Sequence, residues 1–125
     1  MSKFIKRIVR SISWALSGIS YAFRTQFNFR FHVFSALIAL ILSILLKLSP
    51  LEWSIILFCI ASVLTAELLN TSQELNTDLL APGYNETAKN VKDLAAAAVL
   101  IVSIVSAIIG CIIFIPKIVA LLREN

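Results

Sequence analysis

The chain has 125 residues, a hydrophobic content of 59% and a formal net charge of +4, and its mean hydropathy is +0.92. It is too short for several large domains and too apolar for an ordinary soluble protein, so we expect one membrane-embedded domain over residues 1–125. Because the basic residues accompany an apolar helix rather than stacking aromatic side chains, a membrane surface is favoured over nucleic acid as their partner.

The segment over residues 3–24 has the pattern of an amphipathic surface helix. Its apolar side chains recur at helical spacing and are Ile5, Ile8, Ile12, Leu16, Ile19 and Phe23. The other side carries Lys3, Lys6, Arg7, Arg10 and several serines. The segment lacks the continuous apolar region and cleavage site of a signal peptide. We expect it to lie in the membrane surface, with its bases toward anionic lipid or phosphate.

Three apolar stretches follow, and each is long enough to cross a hydrocarbon core of about 30 Å as a helix. They cover about residues 29–48, 51–71 and 93–116. Ser49 and Pro50 mark the turn between the first two, and Lys117 closes the third. The predicted fold is an all-α membrane protein with three transmembrane helices plus an N-terminal amphipathic surface helix.

The basic residues also predict the orientation of these spans. Six Lys and Arg residues precede the first apolar run, whereas the first turn contains only Lys47. Basic residues favour the cytoplasmic side, so the N-terminus is expected there. The connection from about Thr71 to Asp93, expected to be a loop, then lies in the cytoplasm as well, and the C-terminus lies outside.

The second span contains an acidic residue, Glu67, at a depth where an ionisable side chain is costly and is usually kept for function. At about 100° per residue, four polar side chains share a stripe of roughly 80° on this helix: Glu67, Asn70, Glu74 and Asp78. Three carboxylates and an amide on one face suit Mg²⁺ binding and the activation of a hydroxyl for phosphoryl transfer. Alternatively, these residues only cap the span in solvent, which fits Asp78 and Glu74 better than Glu67.

Lys92 and Asp93 stand immediately before the third span. A lysine beside a helix start supplies positive charge for phosphate, but an ordinary membrane-flanking lysine and an N-cap aspartate also explain this pair.

With only three glycines, the chain has neither a P-loop nor a GxGxxG fingerprint. The single histidine, His32, argues against a histidine-centred metal site and fits a residue that opens a span.

The sequence resembles the prokaryotic diacylglycerol kinase and undecaprenol kinase family along nearly its whole length. The matching motif begins with ELLNT at residues 67–71, continues with Glu74 and Asp78, and ends with KDLAAAAVL at residues 92–100. Further matches in order and spacing are Arg7, Arg10, Gly18 and NFR with His32 at residues 28–32.

This resemblance implies an ATP-dependent kinase that phosphorylates a lipid alcohol in the bacterial cytoplasmic (inner) membrane. Diacylglycerol, converted to phosphatidic acid, is the first acceptor that it implies. Undecaprenol is the alternative acceptor, because the segment at residues 28–32 looks more like that branch. The resemblance further implies Mg²⁺ with ATP as co-substrate, and a homotrimer whose active sites are shared between subunits.

By the same resemblance, Glu67 is the general base that takes the proton of the lipid hydroxyl. The implied nucleotide-binding residues are Arg7, Trp14, Glu74, Lys92 and Asp93. The implied lipid contacts are Arg7, Arg10, Asn70 and Glu67, with Asp78 in a supporting role. The implied metal ligands are Glu74 and Gln26. Gln26 departs from the family, which usually has a glutamate there, and an amide oxygen binds Mg²⁺ without that charge.

Gln26 also motivates a hypothesis from a different class, in which the chain is a degenerate family member that acts as a non-catalytic scaffold subunit. The retention of the polar stripe and of Lys92 with Asp93 argues against it. A plain helical bundle of the holin or transporter kind would have no need of an intramembrane polar stripe.

Overall fold

The computed structural model describes residues 2–123 and consists of helices joined by short turns. The helices are α1 (Lys3–Thr25), α2 (Phe27–Leu45), α3 (Pro50–Leu80) and α4 (Glu86–Arg123). In this part of the chain there is no β-strand. By length and composition, α2, α3 and α4 can each cross a membrane. The predicted all-α membrane fold is therefore confirmed; Met1, Glu124 and Asn125 of the predicted domain lie outside the described residues.

The surface helix predicted over residues 3–24 corresponds to α1. It begins at an N-cap, where the Ser2 hydroxyl accepts a hydrogen bond from the backbone N–H of Ile5 at 3.4 Å. Ala22 is its one buried residue, so both its apolar and its basic side chains are exposed. An apolar face that the chain itself leaves uncovered is what a helix lying in a membrane surface requires.

A sharp corner separates α1 from α2. Gln26 forms it with an extended backbone, at φ −104° and ψ 117°. Arg30 reaches back across the corner, and its Nη1 donates to the carbonyl oxygens of Phe23 at 3.1 Å and Arg24 at 3.2 Å. A cation at a helix C-terminus satisfies free carbonyls and opposes the helix dipole. Arg30 thereby holds the end of α1 against the start of α2.

The turn between α2 and α3 matches the predicted one at Ser49 and Pro50. Lys47 adopts a left-handed conformation at φ 49°. Ser49 then caps α3 through a capping box, in which its own backbone N–H donates to Glu52 Oε2 at 2.7 Å. Glu52 Oε2 also lies 3.2 Å from Lys117 Nζ of α4. The start of α3 is therefore tied to the end of α4.

The helices α3 and α4 run antiparallel and share the most extensive packing in the chain. The buried apolar side chains between the spans include Ile56, Cys59, Val63 and Val99. Most other large apolar side chains remain exposed. Such a surface suits a bilayer, because lipid covers the exposed apolar side chains. A single chain in a bilayer therefore does not need a large buried core.

Both helices extend beyond the predicted spans. With 31 and 38 residues, α3 and α4 are roughly 46 and 57 Å long, whereas a hydrocarbon core is about 30 Å thick. The expected loop from Thr71 to Asp93 is wrong in extent, because only residues 81–85 are non-helical. Pro82 and Gly83 form that turn as predicted. Hydropathy detects where a span leaves the bilayer, whereas α3 and α4 stay helical beyond it because they pack against each other, and such packing overrides intrinsic helix propensity.

The end of the third span differs in the same way. The sequence indicated that Lys117 closes it after Pro116, but α4 continues through this proline to Arg123. A proline inside a helix removes one backbone hydrogen bond, which neighbouring groups in a membrane protein can replace.

Candidate active site

Glu67 lies in the second half of α3 and is almost completely buried, with 2% of the residue's surface exposed. His32 of α2 places its ring Nε2 3.2 Å from Glu67 Oε1. This oxygen is fully enclosed, and it receives no hydrogen bond of good geometry from residues 2–123. A carboxyl group at membrane depth with a single ionisable neighbour across the helix interface has the character of a functional group rather than a solvated cap.

One turn further along α3, Asn70 and Glu74 are joined directly. The Asn70 side-chain Nδ2 donates to Glu74 Oε1 at 3.1 Å. Asn70 is buried at 9% exposure, and its Oδ1 has no hydrogen-bond donor in the described part of the chain. Glu74 is half-buried. Together with Glu67 they form a polar face that passes from the membrane interior toward the end of the helix.

The predicted stripe ends at Asp78, which is exposed and forms an ion pair with Lys92 of α4. Asp93 pairs instead with Lys89, one turn earlier on the same helix, at 2.9 Å. The suggested N-cap role of Asp93 is wrong, because α4 begins at Glu86. For the same reason Lys92 does not stand beside a helix start, so it offers phosphate a point charge without the help of free backbone N–H groups.

The three predicted site residues of α1 lie apart from this face. Arg7, Arg10 and Trp14 are exposed, Trp14 at 67%. Within residues 2–123, no hydrogen bond or ion pair joins their side chains to α3. The part of α1 that approaches α3 is its second half, where Gly18 and Ala22 line a shallow groove with α3. A single chain thus leaves the basic half of α1 unconnected to Glu67.

No hydrogen bond joins the two predicted metal ligands, Gln26 and Glu74, in the described part of the chain. Gln26 is half-buried at the corner between α1 and α2, and its side chain makes no capping hydrogen bond. Among the residues that the structure describes, no group of three or more His, Cys, Asp or Glu side chains is placed to hold a metal ion. Mg²⁺, however, commonly takes one or two carboxylates and completes its shell with substrate phosphates and water. The Glu74 carboxylate and Asn70 Oδ1, which accepts no hydrogen bond from residues 2–123, are suitable oxygen ligands for a Mg²⁺ ion that enters the site together with a nucleotide.

An open-sided apolar groove of about 440 Å³ lies between α2, α3 and α4. Its lining includes Phe31, His32, Val63, Ser103 and Phe114. A groove of this size and polarity has room for hydrocarbon. His32 belongs both to its wall and to the contact with Glu67.

The contact between His32 and Glu67 is the feature that sequence reasoning missed. A signal for it was present, because neighbouring spans joined by a short turn run antiparallel. His32 comes shortly after the start of the first span and Glu67 shortly before the end of the second, so both occur at the same depth. The sequence instead indicated for His32 a residue that opens a span and matches the family in order and spacing.

These observations define the class first: a small membrane enzyme whose buried carboxylate is followed, toward the end of the same helix, by an amide and further carboxylates, with a lysine of the neighbouring helix paired to the last of them. The chain belongs to the prokaryotic diacylglycerol kinase family, whose profile matches residues 13–114.

Individual relatives agree with this assignment. The undecaprenol kinase of Bacillus subtilis (strain 168) is 41% identical over 113 residues, which cover 90% of this chain and 92% of that protein. The diacylglycerol kinase of Synechocystis is 37% identical over 113 residues, covering 90% and 65%. That of Helicobacter pylori (strain 26695) is 33% identical over 101 residues, covering 80% and 78%. The chain is accordingly a lipid kinase.

Proposed function

We propose that this lipid kinase transfers the γ-phosphate of ATP directly to the hydroxyl group of a membrane lipid, with Glu67 as the general base. The observation that supports the proposal is the burial of Glu67 at 2% exposure beside a helix face that carries Asn70 and Glu74. A lipid hydroxyl lies at the boundary between hydrocarbon and water, and the polar face is proposed to cross that boundary.

The transfer needs a proton acceptor and a fixed geometry. Glu67 accepts the hydroxyl proton as the hydroxyl oxygen forms its bond to the γ-phosphorus. The bond between that phosphorus and the bridging oxygen breaks, and its electron pair leaves with ADP. Phosphoryl transfer relies mainly on positioning and on neutralising charge, and Glu67 supplies only the base.

Glu74 and Asn70 are the residues proposed to hold Mg²⁺ near the phosphates, with Gln26 as a further oxygen ligand. The bound metal would neutralise phosphate charge during transfer. Lys92 adds a positive charge on α4, and Asp93 is proposed to contact the nucleotide. Because Gln26 brings no negative charge, the chain itself supplies a weaker metal site than two glutamates would.

The proposed assembly is a homotrimer with active sites shared between subunits. Its support is the separation between α1 and the polar face of α3: Arg7, Arg10 and Trp14 are exposed and lack a contact to that face in their own chain. In a trimer these residues would approach the nucleotide and lipid headgroup of a neighbouring subunit. The excess of basic residues before the first span supports a cytoplasmic N-terminus in the bacterial inner membrane.

Two acceptors are candidates. Diacylglycerol follows from the family description and from the Synechocystis and Helicobacter relatives. Undecaprenol is favoured by the higher identity, 41%, to the Bacillus enzyme. Each is a primary alcohol that carries hydrocarbon chains, through esterified glycerol in diacylglycerol and directly in undecaprenol. The groove between α2, α3 and α4 has room for part of such a chain, so Glu67 would serve either acceptor.

The test is the transfer of radiolabelled γ-phosphate from Mg-ATP to diacylglycerol and, separately, to undecaprenol, with purified protein in mixed micelles. We expect labelled lipid with at least one acceptor, and a ratio of kcat/KM values that identifies the preferred one. A folded, trimeric protein that labels neither lipid would contradict the proposal and support the non-catalytic scaffold hypothesis.

A further inference from the structure

We propose that His32 is a positioning residue for Glu67. In the active complex its ring nitrogen pairs with Oε1 of the carboxylate, compensates the negative charge and turns Oε2 toward the lipid hydroxyl. This inference rests on the proposed role of Glu67 as the general base, and it assigns to His32 a task that the resemblance to the family did not.

The first support is the geometry of the pair. His32 Nε2 lies 3.2 Å from Glu67 Oε1, and the two side chains are 18% and 3% exposed. No other cationic side chain of residues 2–123 lies within ion-pair distance of Glu67. The titratable neighbour on its own helix is Glu74, which carries charge of the same sign. Among residues 2–123, His32 is therefore the one cationic-type side chain placed to compensate a Glu67 carboxylate.

Compensation matters because an unpaired charge in an apolar interior is strongly disfavoured, and a buried acid without a partner becomes neutral instead. A neutral carboxyl group cannot accept the hydroxyl proton. An imidazole at 3.2 Å supplies either a hydrogen-bond donor or, when protonated, a positive charge. In either form, an N–H on Nε2 that faces Oε1 compensates the negative charge of the Glu67 carboxylate.

The second support is that His32 is held in place. Its ring meets the Phe31 ring edge to face, with centroids 5.6 Å apart and planes inclined by 74°. His32 also forms part of the wall of the groove between α2, α3 and α4. A lipid tail seated in that groove brings its headgroup toward the same ring. The imidazole thus lies between the binding surface for hydrocarbon and the base.

In the proposed step the hydroxyl proton moves to Glu67 Oε2, the hydroxyl oxygen bonds to the γ-phosphorus, and ADP leaves with the electron pair of the broken bond. His32 gains and loses no proton. Its effect is on the orientation and charge of Glu67 before the step, so it should appear in kcat rather than in the KM values.

The main experiment compares the intact wild-type protein with His32→Phe and His32→Gln. Phenylalanine keeps a ring against Phe31 but has no nitrogen, whereas the glutamine amide reaches about as far as Nε2. We expect kcat to fall roughly 10- to 100-fold in His32→Phe, with the KM values for Mg-ATP and lipid within about twofold of wild type. His32→Gln should recover most of the lost rate.

The matched control is Phe34→Leu, which removes an exposed ring from the same turn of α2 and should leave kcat unchanged. Thermal unfolding in the same micelles reports whether each variant is folded. If His32→Phe does not fold, His32→Gln is compared with His32→Asn, whose amide is one methylene shorter; the proposal then requires the Gln variant to be the faster one. A His32→Phe kcat within twofold of wild type, or no advantage for Gln, would overturn the proposal.

A second readout does not need turnover. Dicyclohexylcarbodiimide reacts with neutral carboxyl groups in apolar surroundings, and mass spectrometry measures the labelling of Glu67. Labelling should be several-fold faster in His32→Phe than in wild type; equal rates would contradict the proposal. A wild type silent toward both lipids would speak against the proposed function, while the labelling would still decide the role of His32.

Discussion

Lys92 of α4 and Asp78 of α3 form an ion pair across the turn at residues 81–85. Their side chains are 36% and 64% exposed, so water screens the pair and its contribution to the free energy of unfolding is at most about 1 kcal/mol. The pair matters more for ligand binding, because Asp78 and a nucleotide phosphate would compete for the same ammonium group.

Lys92→Met should therefore weaken nucleotide binding without unfolding the protein. We expect the KM for Mg-ATP to rise about tenfold, equivalent to the loss of one charge-assisted hydrogen bond, while the KM for lipid stays constant. Lys47→Met removes the same charge from the turn at the other end of α3 and is the control. Equal KM values for Mg-ATP in the two variants would contradict a nucleotide role for Lys92.

Glu74→Gln removes the one carboxylate of the proposed metal site that the structure places beside Asn70. The midpoint of Mg²⁺ activation should rise about tenfold or more, because a hard divalent cation loses a charged oxygen ligand. Binding of Mn²⁺ in the presence of ATP, followed by electron paramagnetic resonance, should weaken in parallel. Glu86→Gln, at the start of α4, carries the same charge change and should leave both quantities at their wild-type values.

Gln26→Glu restores the residue that the family usually has at this corner. A second carboxylate should tighten Mg²⁺ binding and lower the metal concentration that half-activates the enzyme, by several-fold. The measurement is a Mg²⁺ titration of phosphoryl transfer at fixed ATP concentration. An unchanged midpoint would mean that residue 26 is not a metal ligand in this chain.

Ser49→Ala tests the turn between α2 and α3. This turn lies at the start of α3, whereas Glu67 lies in the second half of that helix. Loss of the capping box should reduce the free energy of unfolding by about 1 kcal/mol, visible as a lower melting temperature in micelles. Ser54→Ala is matched to it, because the Ser54 hydroxyl bonds only to the carbonyl of Pro50 in its own helix. Neither change should alter kcat, and a loss of activity in Ser49→Ala alone would connect this turn to the site.

Apolar run length and the Ser49–Pro50 turn were enough to predict three spans, and the helical spacing of apolar residues opposite basic ones predicted the surface helix. They did not predict how far the helices continue, because hydropathy follows the bilayer boundary, whereas the packing of α3 against α4 that keeps both helical beyond it has no local sequence signal. The residues from Thr71 to Leu80 thus continue α3 as a helix beyond the predicted span instead of forming a loop.

Helical spacing also predicted that Glu67, Asn70 and Glu74 share one face. It could not predict that Asp78 pairs with Lys92, since this contact depends on where α4 begins. Nor does a single chain connect Arg7 to Glu67, because no hydrogen bond or ion pair within residues 2–123 joins the Arg7 side chain to α3; its partners in lipid or in another subunit are part of the proposal. A contact that depends on assembly has no local sequence signal.

The proposal depends above all on Glu67 as the base, and Glu67→Gln is the most direct measurement. The substitution keeps the shape of the side chain but removes its ability to accept a proton. We predict that phosphate transfer to lipid falls by about 10²- to 10⁴-fold, with trimer assembly and Mg-ATP binding retained, while Glu86→Gln remains fully active. A Glu67→Gln variant with near-normal rates would contradict the assignment of Glu67 as the general base.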